Sequence, residues 1–198
     1  MSLPRFRLII FTASILAIFL ADGRSFANPG APKVKVGDLV SAGKLDIKLR
    51  DLGKGWFWRV SEMSYPGRSV SPKPKKIVVL DFFSTNCVSC KKMLPALKQF
   101  SEQYKDKVQV LLVAVPENGD VGGKKLRAFF EREPMPFPVL EDPSAYYSKK
   151  WLPEVNGKAE MPCLFLIDRE GIVRAQAPGY HESIADALSP ALESALKL

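Results

Sequence analysis

Residues 77–100 read IVVLDFFSTNCVSCKKMLPALKQF, and the fold turns on how that stretch is parsed. Ile77 to Phe83 is an apolar run broken only by Asp81, the pattern of a central strand buried on both faces. From Val88 to Tyr104 the period changes: Met93, Leu97, Phe100 and Tyr104 recur along one face of a helix. Cys87 and Cys90 stand at the junction. Two intervening residues let their sulfurs meet across the first helical turn, so the pair can close as a disulfide and open again without moving the fold. Cys87 falls at the helix N-terminus, where unpaired backbone N–H groups and the helix dipole stabilise a thiolate. The thiolate is the attacking species in disulfide exchange. Cys90, one turn further in, is expected to be more buried and to need a proton acceptor. Asp81 supplies one, because burial raises a carboxylate's pKa.

Beyond this stretch, Val108 to Val115 (VQVLLVAV) reads as a second buried strand and residues 117–123 as a loop. Lys124 to Arg132 reads as a short helix with Leu126, Phe129 and Phe130 inward. Phe137 to Leu140 is a short strand, and Pro143 to Trp151 a short helix with proline in its first turn. Pro162 to Ile167, the turn Asp168 to Gly171, and Ile172 to Ala177 form a hairpin. Ile184, Leu188, Leu192 and Ala195 share a helical face that Pro190 interrupts, with Ser189 placed to cap a fresh start. Upstream, Leu45, Ile47 and Leu49 alternate with charged residues as a half-buried strand. Trp56 to Val60 is a second strand, and residues 62–76, with Pro66, Pro72 and Pro74, are a loop. No internal repeat is present. The order β-α-β, an insertion, then β-β-α implies an α/β fold whose mixed sheet carries helices on both faces.

The N-terminus reads as a targeting segment. Arg5 and Arg7 precede a 14-residue apolar run, Leu8 to Ala21, and Ser25 and Ala27 fit a signal-peptidase site. A membrane span needs about 20 residues. Cleavage after Ala27 is therefore the expectation, with export to the periplasm; an uncleaved N-terminal membrane anchor is the alternative. Lipid attachment would need a cysteine at the cleavage site, and the first cysteine is Cys87. Loss of residues 1–27 removes Arg5, Arg7, Arg24 and Asp22, taking the net charge from +8 to +6. Lysines and arginines are otherwise scattered, with no basic stripe interleaved with aromatics, which argues against a nucleic-acid partner. The three cysteines, Cys87, Cys90 and Cys163, are too few for a disulfide-stapled scaffold and suggest redox use.

With these residues in hand, the chain resembles the thioredoxin superfamily, and within it the TlpA/ResA-like exported branch. The resemblance covers residues 33–198. It rests on Asp81 six residues before Cys87, Pro95 five after Cys90, Met161-Pro162 opening a later strand, the run Pro162 to Asp168 followed by Gly171, and Gly179. It implies a thioredoxin-like fold with a central βα insertion between Glu117 and Glu160. It also implies a cis Met161–Pro162 peptide lining the groove that holds a partner's backbone, and Cys163 near the reactive pair as a possible third redox thiol. Cys163 is otherwise a small buried apolar residue. The chain then divides into a signal peptide (1–27), an N-terminal extension with short strands and a Pro/Lys-rich loop (28–76), and a thioredoxin-like domain (77–198). Three positions depart from the family: Asn86 replaces an aromatic, Val88-Ser89 separates the cysteines without the common proline, and Cys163 replaces a threonine. The dipeptide helps set the redox potential, so the direction of electron transfer stays open.

The expected function is exchange of disulfides with protein disulfide or dithiol partners through Cys87 and Cys90, without a cofactor. The resemblance implies a reductant acting outside the cytoplasm, often on cytochrome c precursors, and recharged by a membrane electron-transfer protein. Two alternatives stay open. A peroxiredoxin-like peroxidase has a Thr three residues before its reactive cysteine; Ser84 stands there, but no proline precedes it in 77–83. A metal-binding or chaperone module would need four zinc ligands, for which Cys163 and His181 are the only additions to the pair. His181 otherwise reads as a surface or capping residue. Gly122-Gly123-Lys124 is not a phosphate loop, because Lys125 stands where Ser or Thr is required.

Overall fold

The computed structural model describes residues 33–40, 45–55, 57–60, 76–117, 120, 123–155 and 157–197. The N-terminal leader and most of the Pro/Lys-rich loop lie outside the described residues. The centre is a parallel pair, β3 (Ile77–Ser84) and β4 (Val108–Val115), in register from Ile77 opposite Val108 to Ser84 opposite Val115. Both strands are almost wholly buried, which is what continuous runs rich in Val and Leu allow.

Among the described residues, seven strands form one mixed sheet in the order β2-β1-β5-β4-β3-β8-β9. The N-terminal extension supplies β1 (Lys48–Asp51) and β2 (Phe57–Arg59), and β1 pairs antiparallel with β5 (Val139–Glu141). At the other side, β8 (Cys163–Ile167) runs antiparallel to β3 and pairs with β9 (Val173–Pro178). The Asp168 carboxylate closes their turn, accepting from the N–H groups of Glu170 and Ile172.

Alternation along β3 sorts the core into two faces. Ile77, Val79 and Phe83 pack under α1 (Val88–Gln103), with Met93, Leu97 and Phe100, and under the C-terminal helices. Val78, Leu80 and Phe82 point the other way, into a cluster with Val34, Val40, Ile47, Trp58, Phe165 and Trp151. Of the remaining helices, α2 (Lys124–Arg132) buries Leu126 on the first face, and α3 (Tyr146–Trp151) buries Trp151 on the second. None of the helices among the described residues is long and apolar enough to cross a membrane.

Several boundaries differ from the sequence reading. β5 starts at Val139, after the loop in which Pro136 and Pro138 have no N–H to give a ladder. α3 starts at Tyr146, because Asp142 caps it by accepting from the N–H groups of Tyr146, Tyr147 and Ser148; Pro143 lies in the preceding turn. A small hairpin, β6 (Glu154–Val155) with β7 (Lys158–Ala159), occupies a segment to which the sequence reading assigned nothing. Between the two strands the sequence reads Asn-Gly, a strong hairpin dipeptide. The C-terminal segment is α4 (Ile184–Leu188) and α5 (Ala191–Lys197), broken at Pro190. Ser189 ends α4, its N–H donating to the Ala185 and Asp186 carbonyls, and its hydroxyl donates to Glu193 Oε1 in the first turn of α5 at 3.4 Å.

Gly123 opens α2 in the left-handed region, at φ 64°, and an added Cβ would lie 2.3 Å from Glu141 Oε1. That carboxylate is buried and paired with Arg127 at 2.7 Å, so it cannot retreat freely. Gly123→Ala is therefore expected to cost about 1–2 kcal/mol from the backbone alone, read as a lower urea midpoint at unchanged slope.

Candidate functional site

The site sits where β3 hands over to α1. After Ser84 the chain makes one tight turn, with the Cys87 N–H donating to the Ser84 carbonyl at 3.0 Å. Cys87 then takes extended backbone angles (φ −83°, ψ 104°) as the N-cap of α1, and its sulfur accepts from the Cys90 N–H at 3.1 Å. A sulfur here does the work of a capping oxygen. It receives one of the helix's orphan N–H groups, the interaction that favours a thiolate once the bond is open.

Cys87 and Cys90 are joined, with S–S 2.02 Å and Cα–Cα 5.2 Å. Their exposure is unequal. Cys87 is half-buried, whereas Cys90 is fully buried among Met93, Leu94 and Phe83, its sulfur 3.9 Å from the Phe82 carbonyl. Only Cys87 offers its sulfur to an incoming group. Two further atoms flank it: the Ser89 hydroxyl at 3.4 Å and the Met161 carbonyl at 3.6 Å. Sequence reasoning gave Ser89 no role, although a hydroxyl inside the dipeptide is the signal that could have found it.

Met161 brings the second wall. The Met161–Pro162 peptide is cis, and the Pro162 carbonyl accepts from the Gly179 N–H at 2.9 Å, tying the start of β8 to the end of β9. Val88, between the two cysteines, is 65% exposed, and Tyr180, after Gly179, is 44% exposed.

Asp81 lies on the face of β3 shared with Cys90, fully buried, and neither carboxylate oxygen reaches a hydrogen-bond donor. Desolvation pushes its pKa well above the ordinary carboxylate value; the nearby Phe82 and Cys163 backbone N–H groups, outside hydrogen-bonding geometry, moderate this without offsetting it. A buried carboxyl whose pKa is raised, on the same side of the sheet as a buried thiol, is suited to exchange a proton with it.

Cys163 is not brought to the pair. Its side chain is fully buried in the cluster of Phe82, Phe165 and Trp151, on the sheet face away from α1. Burial first, then the charges of Asp81 and Glu160, push its thiol up to about 12. At pH 8 the thiolate is then roughly one molecule in 10⁴. Cys163→Ala is accordingly expected to leave disulfide-exchange rates within about twofold. Mass spectrometry of the folded, reduced protein after brief maleimide treatment should find Cys163 unlabelled. His181 places Nε2 3.2 Å from the Pro178 carbonyl. Among the described residues, no three His, Cys, Asp or Glu side chains come together to hold a metal ion.

Residues 68–176 match the family model described as the AhpC/TSA family. The chain is 27% identical over 131 residues to the thioredoxin-like protein YneN of Bacillus subtilis, covering 66% of this chain and 73% of that protein. It is 28% identical over 104 residues to the thiol-disulfide oxidoreductase ResA of Bacillus thuringiensis, spanning 52% of this chain and 56% of that one. Among solved structures, one from Chlorobium tepidum, titled as a DsbE-type thiol:disulfide interchange protein, superposes with a TM-score of 0.62 at 26% identity. The match covers 82% of this chain and 99% of that one.

Proposed function

The chain belongs to the AhpC/TSA family of thioredoxin-like proteins and is a thiol–disulfide oxidoreductase; from that premise we propose that Cys87 and Cys90 carry the exchange and that the protein works as a reductant of protein disulfides. The observation that carries this reading is the unequal pair: a half-exposed sulfur capping α1, bonded to a buried one a single turn away.

In the dithiol form the Cys87 thiolate attacks one sulfur of a substrate disulfide. A mixed disulfide forms, and the other substrate sulfur leaves as a thiolate and takes up a proton. Asp81 accepts the Cys90 proton, the Cys90 thiolate attacks Cys87, and the second substrate thiol leaves. The substrate gains two electrons and the protein ends as the Cys87–Cys90 disulfide. Met161 and Pro162 line the groove in which the substrate backbone lies as an added strand. Cys163 takes no part and packs the opposite face of the sheet.

Recharging needs a two-electron donor, and a membrane electron-transfer protein fits a reductant that acts after export. Residues 1–27 as a leader, residues 28–76 as an extension and residues 77–198 as the thioredoxin-like domain support that placement, which puts the protein in the periplasm or on a membrane anchor. Cytochrome c precursors, whose haem-binding cysteines must be dithiols, are one substrate class in such a compartment.

The deciding measurement is the reduction potential of the pair, with insulin reduction by dithiothreitol run beside it. A potential near −270 mV supports a reductant, and one near −120 mV an oxidant. Rapid consumption of hydrogen peroxide by the reduced protein in stopped flow, without disulfide reductase activity, would overturn the exchange reading in favour of a peroxidase.

A further inference from the structure

The exchange chemistry leaves one polar contact beside the site without a role. The Thr85 hydroxyl donates to Glu117 Oε1, across from the turn that delivers Cys87 to the exit of β4. Ser84 and Val115 are paired at the ends of β3 and β4, so the next residues of both strands emerge at the same end of the sheet. In parallel sheets this carboxyl end is where reacting groups collect. The Glu117 side chain is 16% exposed, and its second oxygen lies 3.9 Å from Lys125 Nζ, a lysine that is itself 68% exposed. The Asp120 N–H closes the loop onto the Glu117 carbonyl at 2.9 Å.

We propose that Glu117, acting through the Thr85 hydroxyl, is a positioning residue that fixes the Ser84–Cys87 turn and so sets where the Cys87 sulfur stands. This rests on the exchange reading of the Cys87–Cys90 pair and deepens it. The turn is held from below by its own Cys87 N–H to Ser84 bond. The Thr85–Glu117 contact is the sideways tie that keeps it from rotating about that bond. Rotation would carry the Cys87 sulfur away from both the Cys90 N–H and the Met161 carbonyl, its two neighbours across the groove. Glu117 also places a carboxylate at the end of the sheet where a thiolate must form, opposing that charge. Lys125 is too exposed to cancel it.

Three variants separate the tie from the charge. Thr85→Val removes the donor and leaves the charge, Glu117→Ala removes both, and Glu117→Gln removes the charge while keeping an acceptor. The rate of Cys87 with a small aromatic disulfide is expected to fall roughly tenfold in Thr85→Val and in Glu117→Ala. The double variant should be no slower than Glu117→Ala alone, because Thr85 has already lost its acceptor there. Thr85→Ser should restore the rate. Glu117→Gln should lower the Cys87 thiol pKa by roughly half a unit, followed by thiolate absorbance at 240 nm.

Thr85→Val and Glu117→Gln with thiol pKa and rate indistinguishable from the parent, whatever their melting temperatures, would overturn the proposal. If Glu117→Ala fails to fold, Thr85→Val and its serine rescue still decide it. A parent protein that does not reduce insulin would instead sink the exchange reading. The thiol pKa comparison among variants is unaffected by that outcome.

Discussion

Cys90→Ala is expected to abolish turnover and leave substrate bound to Cys87. With the resolving thiol gone, the first attack still proceeds, because Cys87 keeps its place as the N-cap of α1 and the Cys90 backbone N–H that its sulfur receives. The second attack has no nucleophile. Insulin reduction should fall on the order of 10³-fold or more, the scale of losing one member of a pair that acts as a unit. A non-reducing gel should show a mixed disulfide that dithiothreitol dissolves. Cys87→Ala should be equally inactive and form no adduct, because the remaining sulfur is fully buried. An adduct on Cys87→Ala, or none on Cys90→Ala, would reverse the assignment of attacking and resolving sulfurs.

The second large effect concerns Asp81, whose removal should help stability and harm catalysis. Its carboxyl is buried without a donor, so its pKa in the folded state stands above that of the unfolded chain. The folded state thus holds the proton more tightly. Its stability is greatest at acid pH and declines as pH rises through the folded-state value. Asp81→Asn removes that decline. The variant should match the parent at low pH and exceed it at pH 8, because ionising the buried Asp81 carboxyl destabilises the parent and the amide has no such titration. Urea titrations at the two pH values read this directly. Exchange should slow by roughly 10² at neutral pH, since Cys90 loses its proton acceptor. The deficit should shrink at high pH, where the thiol ionises unaided. A variant with parental rates at pH 7 would remove Asp81 from the mechanism.

How much of this was legible in the residues depends on what kind of signal each element carries. The buried strands from Ile77 and Val108 and the helix after Cys87 announce themselves, because a two-faced strand and an amphipathic helix have different periods. The same buried character hides which face each residue takes. Along the Cys163–Ile167 strand both faces are apolar, so no alternation betrays that Cys163 points away from α1. Pro143 read as a helix start because its ring suits a first turn, but Asp142, reaching three N–H groups further on, sets the real one. The β1–β2 pair was visible as strands, while its docking against β5 depends on partners far along the chain. Ser89 and Glu117 were missed for a related reason: single polar residues acquire meaning only from what lies across from them.

The path of the first described residues has a practical consequence. Lys33 is fastened to the α3 side, its N–H donating to the Trp151 carbonyl and its ammonium reaching the Lys149 carbonyl and Glu154. Val34 and Val40 are buried on that same face of the sheet. A linker joined ahead of Lys33, for immobilisation on a sensor chip or a bead, would therefore load the α3 face and leave α1 unburdened. The helix that carries the reactive pair would stay open to macromolecular partners.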